Sequence, residues 1–145
     1  MQYIEYNINS NIPEDLYKFF DKPDKVLHLA WEGLPNYKDL IHIEKNLINH
    51  YQFIKNLIEG GLKDITTTRT CLHWLICLEY GMKNGCLSEN TNTNPSNSYA
   101  IAKDTLRNFI LELNKKFDFN HQWIRLFYML DMDETLDLVE VGSSF

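Results

Sequence analysis

These 145 residues contain little that staples, anchors or charges a protein for a special setting. Cysteine occurs three times, at Cys71, Cys77 and Cys86, an odd number with no C-x-x-C pair. That argues against a disulfide framework or a zinc site and makes a reducing, cytoplasmic setting the expectation. No apolar run approaches the ~18–20 residues that span a bilayer. Residues Met1 to Ile8 lack the basic-then-apolar layout of a signal peptide. Positive charge is in deficit, with 14 Lys and Arg against 20 Asp and Glu, so a basic face for polymeric nucleic acid is not expected. His28, His42, His50, His73 and His121 show no H-E-x-x-H or similar ligand spacing. No Gly-x-Ser-x-Gly elbow is present, which leaves a serine hydrolase without support. The glycines, at 33, 60, 61, 81, 85 and 142, form neither G-x-G-x-x-G nor G-x-x-G-x-x-G. No dedicated turn for a pyrophosphate is therefore written in this chain.

What is there is the material of one packed domain. The length suffices for a hydrophobic core without staples. The formal charge of −6 is unevenly spread. Residues 1–128 are nearly neutral, whereas the last 17 carry Asp131, Asp133, Glu134, Asp137 and Glu140 and no base. A calcium loop starting at Asp131 fails, because Leu136 stands where Gly is needed and Gly142 where Glu is needed. The tail reads as a solvated terminus.

Along the chain, strand and helix patterns alternate. Tyr3 to Ile8 has period two and predicts a short strand. Asn11-Ile-Pro13-Glu14-Asp15 predicts a helix start, with Leu16, Phe19 and Phe20 on the helix and Pro23 beyond it. Lys25 to Trp31 is a compact apolar run, the pattern of a strand buried on both faces, and Gly33 and Pro35 mark the loop after it. A long helix is predicted from about Lys38 to Glu59, with Leu40, Ile43, Leu47, Ile54, Leu57 and Ile58 inward and Gly60-Gly61 at its end. Asp64 to Thr68 is β-branched and predicts a strand. Ser96 or Asn97 could cap a helix from Ser98 to Lys116, with Ile101, Leu106, Phe109, Ile110 and Leu113 in the core. His121 to Tyr128 predicts a last strand. His28 reads as a core residue, and Cys71 and Cys77 as buried rather than nucleophilic. This order implies parallel strands with helices on both faces. Ligand-facing residues are then sought just after each strand: Asn7 to Asn9, Ala30 to Glu32, Thr68 to Cys71 and Tyr128.

Tyr99-Ala-Ile-Ala-Lys103 carries the most chemistry. Positions i and i+4 share a helix face about 6 Å apart along the axis. An ammonium beside a phenol favours the phenolate, and such a tyrosine can exchange a proton with a substrate hydroxyl. The spacing alone also fits an ordinary surface Tyr–Lys pair. In order along the chain, however, several strings resemble the extended short-chain dehydrogenase/reductase family, the NAD-dependent epimerases and dehydratases of nucleotide sugars. Val26-Leu-His-Leu-Ala30 resembles that family's fourth strand, and Asn46 the first residue of its N-x-x-x-T-x-x-L-L helix. Thr66 to Thr70 resembles its fifth strand, Glu79-Tyr80-Gly81 the Tyr-Gly that follows, and Pro95 with Tyr99-x-x-x-Lys103 the catalytic helix entry. Ile124-Arg125-Leu-Phe-Tyr128 resembles the sixth strand. The resemblance covers about residues 3–129.

The resemblance implies an α/β fold, a partial Rossmann-type parallel sheet with flanking helices that lacks the first strand–helix–strand unit. It implies residues 1–129 as a partial NAD(P)-binding domain and 130–145 as an unmatched acidic tail. Tyr99 would be the acid/base, Lys103 its partner and ribose ligand, and Thr70 a hydrogen-bonder to the reacting sugar oxygen. Asn7 and Ile8 would lie near the adenine, Leu29, Ala30 and Trp31 along the cofactor, and Asn46 beside it. The implied activity is an NAD- or NADP-dependent isomerase or oxidoreductase of carbohydrate biosynthesis, acting on a nucleotide-activated sugar. Three departures accompany it: the glycine-rich turn is missing, the tail is unmatched, and Thr70 stands ten residues before Tyr80 where the family has four. Cys71-Leu-His-Trp74 and Cys77-Leu-Glu-Tyr80 form a six-residue echo, which reads as an insertion. The chain alone is therefore expected to be inactive. The competing expectation is a non-catalytic binding or scaffold chain that needs a partner. No membrane partner is expected, and association with a second copy of the chain is left open.

Overall fold

The computed structural model describes residues 3–10, 13–70, 80, 88 and 90–126. Three parallel strands make one sheet in the order β1 (Lys25–His28), β2 (Asp64–Thr70), β3 (Asn120–Leu126). Lys25 stands opposite Asp64, and Asp64 opposite Asn120. Parallel neighbours need long crossovers. Helix α2 (Leu47–Gly60) lies on the first and helix α3 (Ser98–Lys116) on the second, while a one-turn helix α1 (Leu16–Phe19) precedes β1.

Local chemistry sets these limits. The Asp15 side chain accepts from the Lys18 N–H and starts α1. Gly61, at φ +120°, closes α2 with its N–H on the Ile58 and Leu57 carbonyls, a conformation costly for any residue with a Cβ. Asn97 Oδ1 accepts from the Ala100 N–H at 2.8 Å and caps α3. At the far end, Lys115 and Lys116 meet the negative end of the helix dipole.

The core lies between the helices and one face of the sheet. Ile54, Leu57, Ile65, Leu106 and Ile110 are almost wholly buried there. Among the described residues, the other sheet face is open. Leu27 is 60% exposed and Ile124 39%.

Several elements differ from the sequence-based expectation. Residues 3–7 form no strand; a turn at Asn7, with the Ser10 N–H on the Asn7 carbonyl, follows them. Their alternation arises because Tyr6 turns inward among Phe19, Phe20 and Phe53. The first helix is a single turn. β1 is buried on one face only, because among the described residues nothing covers the other side of the sheet there. The long helix begins at His42 rather than Lys38, and Leu40 is exposed. Ile101 and Phe109 lie on the outer side of α3, 40% and 37% exposed. The Cys71-to-Tyr80 echo, apart from Tyr80, and the tail lie outside the described residues. Among the described residues no helix is long and apolar enough to cross a membrane.

Candidate functional site

The chain changes pitch where it enters α2. His42–Asn46 form a π-helical turn, with the Leu47 N–H reaching back to the His42 carbonyl. Such turns insert one residue into a helix and are frequent at functional sites. Here His42, Asn46 and His50 are all buried, at spacings of four. This polar stripe meets the start of α3 on one side and the end of β1 on the other.

From α3 come Tyr99 and Lys103, 1% and 2% exposed. Loop and helix are tied together there: the Tyr99 N–H donates to the Tyr37 carbonyl at 3.1 Å, and Ser98 Oγ to the Lys38 carbonyl. Lys103 Nζ donates to the Thr68 carbonyl of β2 at 2.9 Å. From the end of β1 comes Trp31, whose ring lies 4.3 Å from Lys103 Nζ. A cation over an indole face is attracted by the ring quadrupole, the more strongly when water is excluded.

Trp31 is held by several neighbours on its buried side. It stacks on His50 with ring centroids 4.6 Å apart and meets Tyr99 edge-on at 5.9 Å. Its indole N–H donates to His42 Nδ1 at 3.0 Å. His42 Nε2 lies 2.8 Å from the Asn36 carbonyl, so the ring donates there and accepts from Trp31, which fixes the tautomer. Asn46 Nδ2 donates to the Glu32 carbonyl at 2.9 Å, holding the residue next to Trp31.

Behind Trp31, His28 Nε2 and His50 Nδ1 are 2.8 Å apart. One ring must donate and the other accept, so the pair suits neutral imidazoles. Burial, then His50 and Lys103, push His28 down to about 3; burial and Lys103 do the same to His50, also to about 3. Two neutral rings add no positive charge beside Lys103.

The structure thus brings together Tyr99, Lys103, Trp31 and Asn46 of the sequence-derived residues. Leu29 and Ala30 are exposed between β1 and Trp31. Asn7 takes the Asn9 N–H on its Oδ1, and Asn9 in turn contacts Glu32 and Asn49, so that turn borders the site without entering it. Ile8 packs against the core. Thr70 ends β2, and its side chain lies outside the described residues. Sequence reading missed His42 and His50, although His42, Asn46 and His50 at i, i+4 and i+8 form a helical stripe that was open to view. Among the described residues, no group of His, Cys, Asp and Glu could hold a metal ion.

No family model matches the chain. It is 35% identical over 109 residues to dTDP-6-deoxy-L-talose 4-dehydrogenase (NAD(+)) of Aggregatibacter actinomycetemcomitans, covering 74% of this chain and 38% of that protein. A stretch of that length in 145 residues necessarily takes in Tyr99 and Lys103. Its fold is similar to UDP-glucuronic acid 4-epimerase from Bacillus cereus in complex with NAD (TM-score 0.67, 22% identity, 87% of this chain and 38% of that one). It is also similar to a UDP-glucose 4-epimerase (TM-score 0.63, 18% identity, 77% and 34%). The chain spans less than two fifths of the length of each of these three.

Proposed function

With this chain belonging to the extended short-chain dehydrogenase/reductase family of NAD-dependent nucleotide-sugar enzymes, we propose that it carries the proton-transfer part of such a site, built on Tyr99 and Lys103. The substrate class is a nucleotide-activated sugar and the cofactor NAD or NADP. The observation that carries the reading is Lys103. Its ammonium is buried, anchored to the central strand through the Thr68 carbonyl, and one helical turn from Tyr99 at the carboxyl end of a parallel sheet. A buried lysine is costly unless paired and hydrogen-bonded, so its presence calls for a role.

The residues fit a dinucleotide at one end only. Tyr99 and Lys103 are of the kinds that meet a nicotinamide ribose and its reacting sugar. No glycine-rich turn for the pyrophosphate exists anywhere in the 145 residues. When bound, the cofactor supplies the hydride acceptor or donor. As the phenolate, Tyr99 Oη would take the proton from the sugar hydroxyl as hydride leaves the same carbon for the cofactor; as the phenol it would return the proton in the reverse sense. Lys103 keeps positive charge on that face, and the neutral His28–His50 pair adds none. Parallel strands orient both side chains from one rigid helix.

The 145 residues alone then neither bind NAD strongly nor turn over. A chimera tests this. In the talose 4-dehydrogenase relative, the stretch aligned with this chain is replaced by this chain's own residues. NAD should raise the melting temperature of the chimera, as a ligand that binds only the folded state must, and leave that of the 145-residue chain unmoved. A chimera that folds yet shows no NAD-dependent shift would overturn the reading in favour of a non-catalytic binding or scaffold role.

A further inference from the structure

We propose that Trp31 is a latch on Lys103: its indole occupies the ammonium's approach, and His42 holds it there. The inference rests on the ribose-binding reading of Lys103 only in what the latch admits; the latch itself stands on contacts alone.

The geometry assigns Trp31 more than a packing role. It follows Leu29 and Ala30, which are both exposed, and is itself only half-buried. Yet it lies face-on to an ammonium that is 2% exposed. Apolar packing needs no particular polar partner, but the Trp31 N–H has one, at 3.0 Å on His42 Nδ1. That acceptor is oriented from its other nitrogen by the Asn36 carbonyl. Gly33, at φ +85°, brings the intervening loop against the same ring: a Cβ there would lie 3.3 Å from His42 Cε1. The π-helical turn places His42 and Asn46 together under residues 31 and 32. An indole against Lys103 and a ligand hydroxyl on the same face of that ammonium exclude each other. Trp31 must rotate off His42 before a polyol reaches Lys103, and its ring sets the width of the entrance.

Lysine labelling by an amine-reactive acetylating reagent, read peptide by peptide by mass spectrometry, tests the latch in the 145-residue chain without any cofactor. Lys25, whose side chain is 78% exposed, is the internal reference. Relative to Lys25, Lys103 should label at least tenfold faster in Trp31→Ala than in the wild type. Trp31→Phe keeps a ring over Lys103 but loses the N–H, so a two- to fivefold rise is expected; His42→Leu, which removes the acceptor, should match it. Trp123→Phe should change nothing. If Trp31→Ala fails to fold, by circular dichroism, the other two variants decide. Unchanged Lys103 labelling in folded variants overturns the latch. In the chimera, Trp31→Ala should bind NAD at least threefold more tightly. A rise in labelling with unchanged NAD affinity keeps the latch and removes the ribose reading.

Discussion

Lys103 sits where water is nearly excluded, and its neighbours answer for it in different ways. The Thr68 carbonyl accepts a hydrogen bond and Trp31 offers a π face. His28 and His50 respond by staying neutral. Both have folded pKa values near 3, below the ordinary 6.5 of the unfolded chain. The unfolded state therefore binds more protons between those limits. Stability is whole above pH 6.5 and falls as pH drops toward 3, by about 1.4 kcal/mol per pH unit for each group that titrates only on unfolding. Urea unfolding should show a lower midpoint at pH 5 than at pH 7. Lys103→Met should leave most of that dependence in place, because burial, the larger cause of both shifts, remains. The same variant should cost about 1–3 kcal/mol at pH 7, since it leaves the Thr68 carbonyl without its donor. A pH slope lost in Lys103→Met would contradict burial as the main cause that keeps both imidazoles neutral.

At the scale of elements, the parts written in local chemistry were legible. Helix α3 runs from Ser98 to Lys116, the span read from its cap and its apolar repeat. Asn97→Ala should lower stability by about 1 kcal/mol in urea unfolding, with Asn97→Asp close to neutral. α2 ends at its glycines for two separate reasons: Gly61 supplies the positive φ, and Gly60 lets Tyr17 of α1 lie directly on the backbone. Gly60→Ala would place a methyl group on the Tyr17 Cβ and should destabilise the chain by about 1–3 kcal/mol, as overpacking does. A neutral or stabilising result in the same assay would place α1 elsewhere. Features set by distant partners were not legible. Tyr3 to Ile8 has a strand's alternation, but among the described residues no strand lies beside it, and Tyr6 sits in an aromatic nest. Leu27, Ile101 and Phe109 are apolar and yet exposed, because no described element covers their sides. The shift of the helix start from Lys38 to His42 follows Asp39, whose Oδ1 accepts from the Ile41 N–H at 3.0 Å.

For the molecule as a whole, the sheet, its parallel order and its family were all readable from the succession of strings between Val26 and Arg125. The site was half readable. Spacing singled out Tyr99 and Lys103 as candidates, and the crevice rule pointed to Trp31, which the structure places beside them. His42 and His50 were passed over, because ligand spacings were sought and a structural polar stripe was not. Their part became visible only when α2, α3 and the end of β1 met in space. One turn of α3, which carries Tyr99 and Lys103 at the carboxyl end of the sheet, bears the central proposal that this chain supplies the proton-transfer part of a nucleotide-sugar enzyme. The most direct test follows NADH at 340 nm in the chimera, with dTDP-6-deoxy-L-talose as substrate, beside the same protein carrying Tyr99→Phe. The account predicts turnover in the first and a loss of about 10²–10⁴-fold in the second, the usual span for removing a positioned acid/base, with NAD affinity within twofold. Equal rates in the two proteins would contradict it.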